Sequence, residues 1–285
     1  MPRPLQCWSL STKRIRLSVA YDGTDFCGFA PQRDQRTVHG TLKEAVRRAT
    51  GEDVEIVGAS RTDGGAHALG ASVHFDTVNP MPAETWRLVL NRVLPEDCRI
   101  RKSEEVDEDF HARFSATSRV YRYRYLLEEG DPFRRRYAHV YWDDLNLEAM
   151  QKAAVELVGS HDFRGYTEEV GPEILNTTRT LHAVGLERSG DEVLFTVQGT
   201  AFLRGMMRRM AGMLFEIGRS HRPVVDAARL LTEERDRMQW PVVLPAKGLT
   251  LMEVRYDIPG YDARKQPLEF AENDDDFDEL DDDSA

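Results

Sequence analysis

Val54-Glu55-Ile56-Val57-Gly58-Ala59-Ser60-Arg61-Thr62-Asp63-Gly64-Gly65-Ala66-His67-Ala68 is the stretch on which the fold turns. Its apolar residues cluster before Ser60, and beyond Ala68 the residues Val73 and Phe75 alternate with polar neighbours. That pattern predicts two strands, Val54–Ala59 and Ala68–Asp76, joined by a short polar loop. Two adjacent glycines release the loop backbone from ordinary steric limits, so it can turn sharply or approach a ligand closely. A carboxylate carried there, Asp63, is fixed by the turn and can attack an electrophile or stabilise a developing cation. The same residues also read as a plain hairpin turn, with Asp63 bonding its own backbone and Arg61 as its ion-pair partner.

Working outward, Arg14–Tyr21 alternates polar and apolar residues as a half-buried strand does. Thr37 is placed to cap a helix from Val38 to about Thr50, with Gly51 as its stop. Ala83–Leu94 reads as a second helix and Arg99–Val106 as a weaker strand, giving the order β-α-β-β-α-β. The second half repeats it. Thr117–Leu127 is a strong strand, Leu147–Val158 a helix, and Thr178–Glu187 and Glu192–Gly199 are strands joined by Ser189-Gly190-Asp191. Phe202–Ile217 is a long amphipathic helix, Pro223–Leu231 a short one, and Leu249–Tyr256 the closing strand. Two split β-α-β units with antiparallel sheets follow, an α+β architecture whose seam makes a cleft. The seam is expected around Asp109–Ser118.

The chain has 285 residues, no apolar run long enough to cross a membrane, and three scattered cysteines (Cys7, Cys27 and Cys98). A reducing, cytoplasmic setting fits that usage. The net charge of −11 misleads, because Glu269–Ala285 holds ten acids and no base. Without that tail 39 acidic residues face 38 basic ones, and the tail itself reads as disordered. Basic residues cluster at Lys13, Arg14 and Arg16, at Arg47 and Arg48, at Arg119, Arg122 and Arg124, at Arg134–Arg136, and at Arg204, Arg208 and Arg209. Clustered arginines on a neutral body suit a polyanion.

Val120, Arg122, Arg124 and Leu126 share one face of their strand, and Tyr121, Tyr123 and Tyr125 share the other. Basic and aromatic residues together suit a nucleic-acid surface, although tyrosines packed in a core beside solvated arginines give the same pattern. On the helix after Phe202, an arginine can orient a carboxylate or simply face solvent. His67 and His74 near Asp63 admit a metal site or a metal-assisted phosphoesterase, but no third ligand stands at metal spacing. There is no P-loop, G-x-G-x-x-G or G-x-S-x-G.

Taken in order, these features resemble the tRNA pseudouridine synthases of the TruA type, over about Lys13 to Pro259. The resemblance rests on Tyr21-Asp22-Gly23-Thr24 with Gly28-Phe29, on Arg61-Thr62-Asp63-x-Gly65-x-His67-Ala68, and on Phe114-Ser115-Ala116-Thr117 followed by Tyr121-Arg122-Tyr123. Ala201-Phe202-Leu203-x-x-Met206-Met207-Arg208 and Pro245-Ala246-x-Gly248-Leu249 complete it. It implies two ferredoxin-like halves (13–113 and 114–260, then the tail 261–285) meeting at a central catalytic cleft. It implies Asp63 as the catalytic aspartate, Tyr121 against the target base, Arg208 paired with the aspartate, and Arg61 on the flipped nucleotide or its backbone. The reaction it implies is isomerisation of uridine to pseudouridine at positions 38, 39 and 40 of the tRNA anticodon stem-loop. A homodimer needing no cofactor and no metal goes with it, and a non-catalytic tRNA-binding or remodelling protein is the alternative. The family's usual loop has Gly, Ala and Val where Ser60, Gly64 and Ala66 stand, and its usual Gly-Trp-Gln is here Gly28-Phe29-Ala30. All three loop changes keep small residues. The loss of the glutamine is expected to alter how that loop meets RNA.

Overall fold

The computed structural model describes residues 12–128, 131–167, 176–232, 234–235 and 238–256. The tail expected over 261–285 lies outside the described residues. The first half contributes β1 (Lys13–Tyr21), α1 (Val38–Thr50), β2 (Val57–Gly58), β3 (His67–Thr77), α2 (Thr85–Val93) and β4 (Cys98–Val106). The second contributes β5 (Ala116–Leu126), β6 (His139–Val140), α3 (Leu147–Val155), β7 (Gly159–Asp162), β8 (Thr178–Ser189), β9 (Glu192–Gly199), α4 (Met206–Gly218), α5 (Asp226–Arg229) and β10 (Leu249–Tyr256).

Local chemistry sets these elements. In β1, Ile15, Leu17, Val19 and Tyr21 are buried on one side while the arginines between them face the other. The Thr37 hydroxyl accepts the Gly40 N–H to start α1, and Gly51 closes it at φ 79°, where a side chain would be strained. Leu42, Ala45 and Val46 of α1 and Trp86 and Leu90 of α2 are buried, with Trp86 edge-on to Phe75 of β3 at 5.0 Å. The Tyr125 hydroxyl donates to Ala211 O in α4, so the odd-numbered tyrosines of β5 face the helices. Tyr123 and Tyr125 are core residues, as the plainer reading of that strand holds.

The strands form one sheet in the order β4-β1-β3-β10-β5-β9-β8-β7, with β2 pairing β3 and β6 pairing β5 off that path. Each half follows the same internal order, last strand, first, third, second. The halves join where β10 lies parallel to β3, with Thr250 opposite His67 and Leu251 opposite Ala68. That pair is the seam. Residues 109–115 instead form a connection across it: His74 Nδ1 accepts the Ala112 N–H at 3.1 Å and Tyr256 donates to Ala112 O at 2.8 Å.

Two further expectations need correction. The strand expected over Val54–Ala59 shrinks to Val57 and Gly58, opposite His74 and Val73, because β10 occupies the edge of β3 further on. The helix expected from Phe202 begins at Met206, because Gly205 takes φ 69° and the residues before it form a loop. The short β6 and β7 carry too few residues to show a period, so periodicity could not foretell them.

Candidate active site

The loop from Ala59 to His67 sits at the seam, where β2 gives way to β10. Its backbone is clamped from beneath by the segment after β1. A Cβ at Gly23 would lie 1.9 Å from Ala66 O, so only glycine lets the two backbones touch. Gly28, at φ 95°, would set a Cβ 2.9 Å from Thr62 O, and the next residue's N–H donates to that oxygen at 3.1 Å. Tyr21 and Thr62 share a buried hydroxyl hydrogen bond of 2.8 Å. Of the two loop glycines only Gly65 has a positive φ, 82°, and its N–H donates to Phe26 O. Phe29 is buried against Gly58, so this residue of the variant Gly-Phe-Ala supports the loop from inside.

Asp63 is thereby held on a stiff turn with a half-exposed carboxylate. Arg208, 145 residues away in sequence, reaches it from the first turn of α4: Nη1 donates to Asp63 Oδ2 at 3.0 Å and Nε to Leu244 O at 2.7 Å. The two side chains are 29% and 19% exposed, so the pair is shielded without being sealed from a substrate. Among the described residues Asp63 Oδ1 has no hydrogen-bond partner. Tyr121 is buried beside this pair, its ring edge-on to Phe202 at 4.9 Å. Burial pushes its phenol pKa up; a bond to the Ser60 side chain and the charge of Arg119 pull the other way, and the Asp63 charge adds to the rise. The neutral phenol is the form present at pH 7.

Arg61 is not the aspartate's partner. It is exposed, and among the described residues its side chain makes no ion pair or hydrogen bond. The simple hairpin turn closed by an Asp63–Arg61 pair is therefore replaced by a contact between the two halves. The structure brings Asp63, Tyr121 and Arg208 together and leaves Arg61 pointing outward from the same loop.

The histidines are structural. His67 Nδ1 stands 3.0 Å from the Gly23 amide nitrogen and 3.2 Å from Asp22 Oδ1, and Nε2 lies 3.2 Å from Lys247 O. Burial lowers its pKa, keeping it neutral. His74 is pulled down to about 4 by burial, with Arg14 and His111 adding to the fall. Among the described residues no group of three or more His, Cys, Asp or Glu side chains could hold a metal ion.

Most of the arginine clusters are also committed internally. Arg134 is caged by Glu128, Asp131 and Asp191, Arg14 forms a bidentate pair with Asp76, and Arg122 donates to Thr196. Arg61, Arg113, Arg135 and Arg136 stay exposed. Three contributors to the site were not singled out from sequence: Tyr21, Thr62 and Arg119. Arg119 was legible in principle, since its odd number puts it on the tyrosine face of β5.

A family model described as tRNA pseudouridine synthase matches residues 17–115 and 153–257. The chain belongs to the tRNA pseudouridine synthase family. It is 43% identical over 247 residues to tRNA pseudouridine synthase A of Brevibacillus brevis, covering 86% of this chain and all of that one. It is 41% identical over 239 residues to tRNA pseudouridine synthase A of Halalkalibacterium halodurans, covering 83% and 90%. A solved archaeal box H/ACA sRNP Nop10–Cbf5 complex aligns over 70% of this chain and 44% of that chain, at 12% identity and TM-score 0.34, too distant to carry an argument. This synthase is an isomerase acting on tRNA, and its mixed α+β fold agrees with the architecture read from sequence. No helix of the described residues is long and apolar enough to cross a membrane.

Proposed function

We propose that this synthase modifies the tRNA anticodon stem-loop at positions 38, 39 and 40, with Asp63 acting at C1′ of the target uridine. Tyr121 lies against the base, Arg208 orients the carboxylate, and Arg61 grips the extruded nucleotide or its backbone. The observation that carries this is the Asp63–Arg208 contact across the seam, with Tyr121 alongside. The reaction breaks N1–C1′ and the bonding pair leaves with the uracil. Asp63 Oδ1 either bonds C1′ or assists loss of the C2′ proton. The uracil turns in place and C5 bonds C1′ as the Asp63–C1′ bond breaks or the C2′ proton is returned, and the C5 proton is released while N1 gains one. Nothing is oxidised or hydrolysed, so the reaction requires no cofactor. A base stacked in a helix is out of reach of Asp63, so the target is flipped out.

The same reading has halves over 13–113 and 114–260, a homodimer, and a cytoplasmic location. Affinity for tRNA should fall with salt as exposed arginines release counterions. Tritium release from tRNA labelled with 5-³H-uridine tests the chemistry. Asp63→Asn should slow release at least about 10³-fold while tRNA binding is largely kept; measurable turnover in that variant removes the assignment. Replacing uridines 38–40 with cytidine should abolish release from the remaining tRNA, and persistent release would move the target elsewhere.

A further inference from the structure

Arg119 lies on β5 two residues before Tyr121, on the same face, and is 8% exposed. A guanidinium that deep normally faces a carboxylate, because a buried charge is costly unless paired. Here the partners are four backbone carbonyls. Nη1 donates to Thr200 O at 2.7 Å and Ala116 O at 3.2 Å, and Nη2 donates to Arg113 O at 2.8 Å and Ala59 O at 3.3 Å.

Those carbonyls come from separate stretches of chain, and each stretch leads into the site. Ala59 precedes Ser60, whose side chain neighbours the Tyr121 phenol, and the loop then runs to Asp63. Thr200 opens the loop that carries Phe202 onto the Tyr121 ring and leads to α4 and Arg208. Arg113 belongs to the connection between the halves, and Ala116 opens β5 itself. Arg119 thus gathers the Asp63 loop, the approach to α4 and the inter-half connection onto one side chain.

We propose that Arg119 is a positioning residue for pseudouridylation: its planar fork sets the spacing of the Asp63 loop from Tyr121 and from the Phe202 loop. This rests on the reading of Asp63 and Tyr121 as the reacting site. The fork geometry is the operative feature. Lysine offers three donors from a single atom and cannot span acceptors on both sides of a guanidinium. Burial lowers the pKa of Arg119 without discharging it, so the cation also stands beside the Tyr121 phenol. A shift of about 1 Å in such a site costs on the order of 100-fold in rate.

The test uses the full chain with Arg119→Lys, Arg119→Ala and Asp63→Asn side by side. Single-turnover tritium release and tRNA binding are measured at a temperature where each variant is folded by circular dichroism. The expected result is a fall of about 100-fold in the single-turnover rate for both Arg119 variants, with tRNA affinity within about threefold of the parent. Methylguanidinium added at millimolar concentration should restore the Arg119→Ala rate at least about tenfold, because it refills the fork. A lost bond that only held the fold together would not give that split. Parental rate in Arg119→Lys, loss confined to affinity, no rescue of folded Arg119→Ala, or failure of both Arg119 variants to fold would overturn the proposal. Asp63→Asn separates the two levels. Turnover in that variant sinks the site reading itself, whereas an inert Asp63→Asn beside a fully active Arg119→Lys sinks only the role of Arg119.

Discussion

The second and third strands of the two halves end differently. In the second half, β8 and β9 pair from Leu181 opposite Gly199 to Ser189 opposite Glu192, and the tight turn around Gly190 carries no site chemistry. In the first half, β2 meets β3 over two residues only, and the chain then opens into the loop that bears Asp63. The cause is β10. It takes the edge of β3 that β2 would otherwise occupy, so the first hairpin cannot zip closed. The proposed chemistry sits where the repeat is broken. A strand fully paired on both sides spends its backbone groups on the ladder, whereas a loop clamped at a seam can present a side chain to a cleft.

The comparison breaks most visibly at its glycines. Gly23→Ala should cost about 2–4 kcal/mol in urea unfolding and most of the activity, because the new Cβ meets the rigid backbone of the Asp63 loop. Gly190→Ala in the closed hairpin meets nothing within 4 Å and pays only for φ 60°, about 1 kcal/mol, with tritium release unchanged. Equal effects at the two sites would mean that the open loop is no more constrained than the closed turn.

His74 sharpens the same contrast, since it stands opposite Val57 where β2 begins and accepts the Ala112 N–H. Its folded pKa of about 4 lies below the unfolded value near 6.5, so the unfolded chain binds the extra proton between them. The stability it contributes is therefore complete above about pH 6.5 and is lost as pH falls towards 4, on the order of 3 kcal/mol at most. Unfolding curves across that window should be flatter for His74→Gln than for the parent. An unaltered slope would assign the acid sensitivity elsewhere, for example to His139 of the second half, which is also held to about 4.

The smallest effect belongs to Arg61. Arg61→Ala should weaken tRNA binding several-fold and lower the slope of log affinity against log salt by about one, with a single-turnover rate close to that of the parent. An unchanged slope would show that this exposed side chain does not touch a phosphate.

Much of the fold was legible because its signals are local. Alternation in β1, the Thr37 cap and Gly51 stop of α1, and the turn at Ser189–Asp191 each depend on residues a few positions apart. Asp63 was legible for the same reason, through its two glycines and small neighbours. What escaped was non-local. The core role of Tyr123 and Tyr125 depends on Pro245 and Ala211, far along the chain. The arginine clusters suggested a broad basic surface, but Arg134 is taken by three acids from two separate stretches and Arg119 by four carbonyls. A count of charges holds no information about which are already paired.

The amino-acid order alone set the duplicated β-α-β-β-α-β pattern and the loop bearing Asp63, since period, caps and glycine placement act within a few residues. Tertiary structure decided that β10 enters beside β3, that Arg208 replaces Arg61 as the aspartate's partner, and that Arg119 is buried. Those outcomes depend on which distant backbones and side chains come within hydrogen-bond reach, and that is fixed only when the two halves close on one sheet.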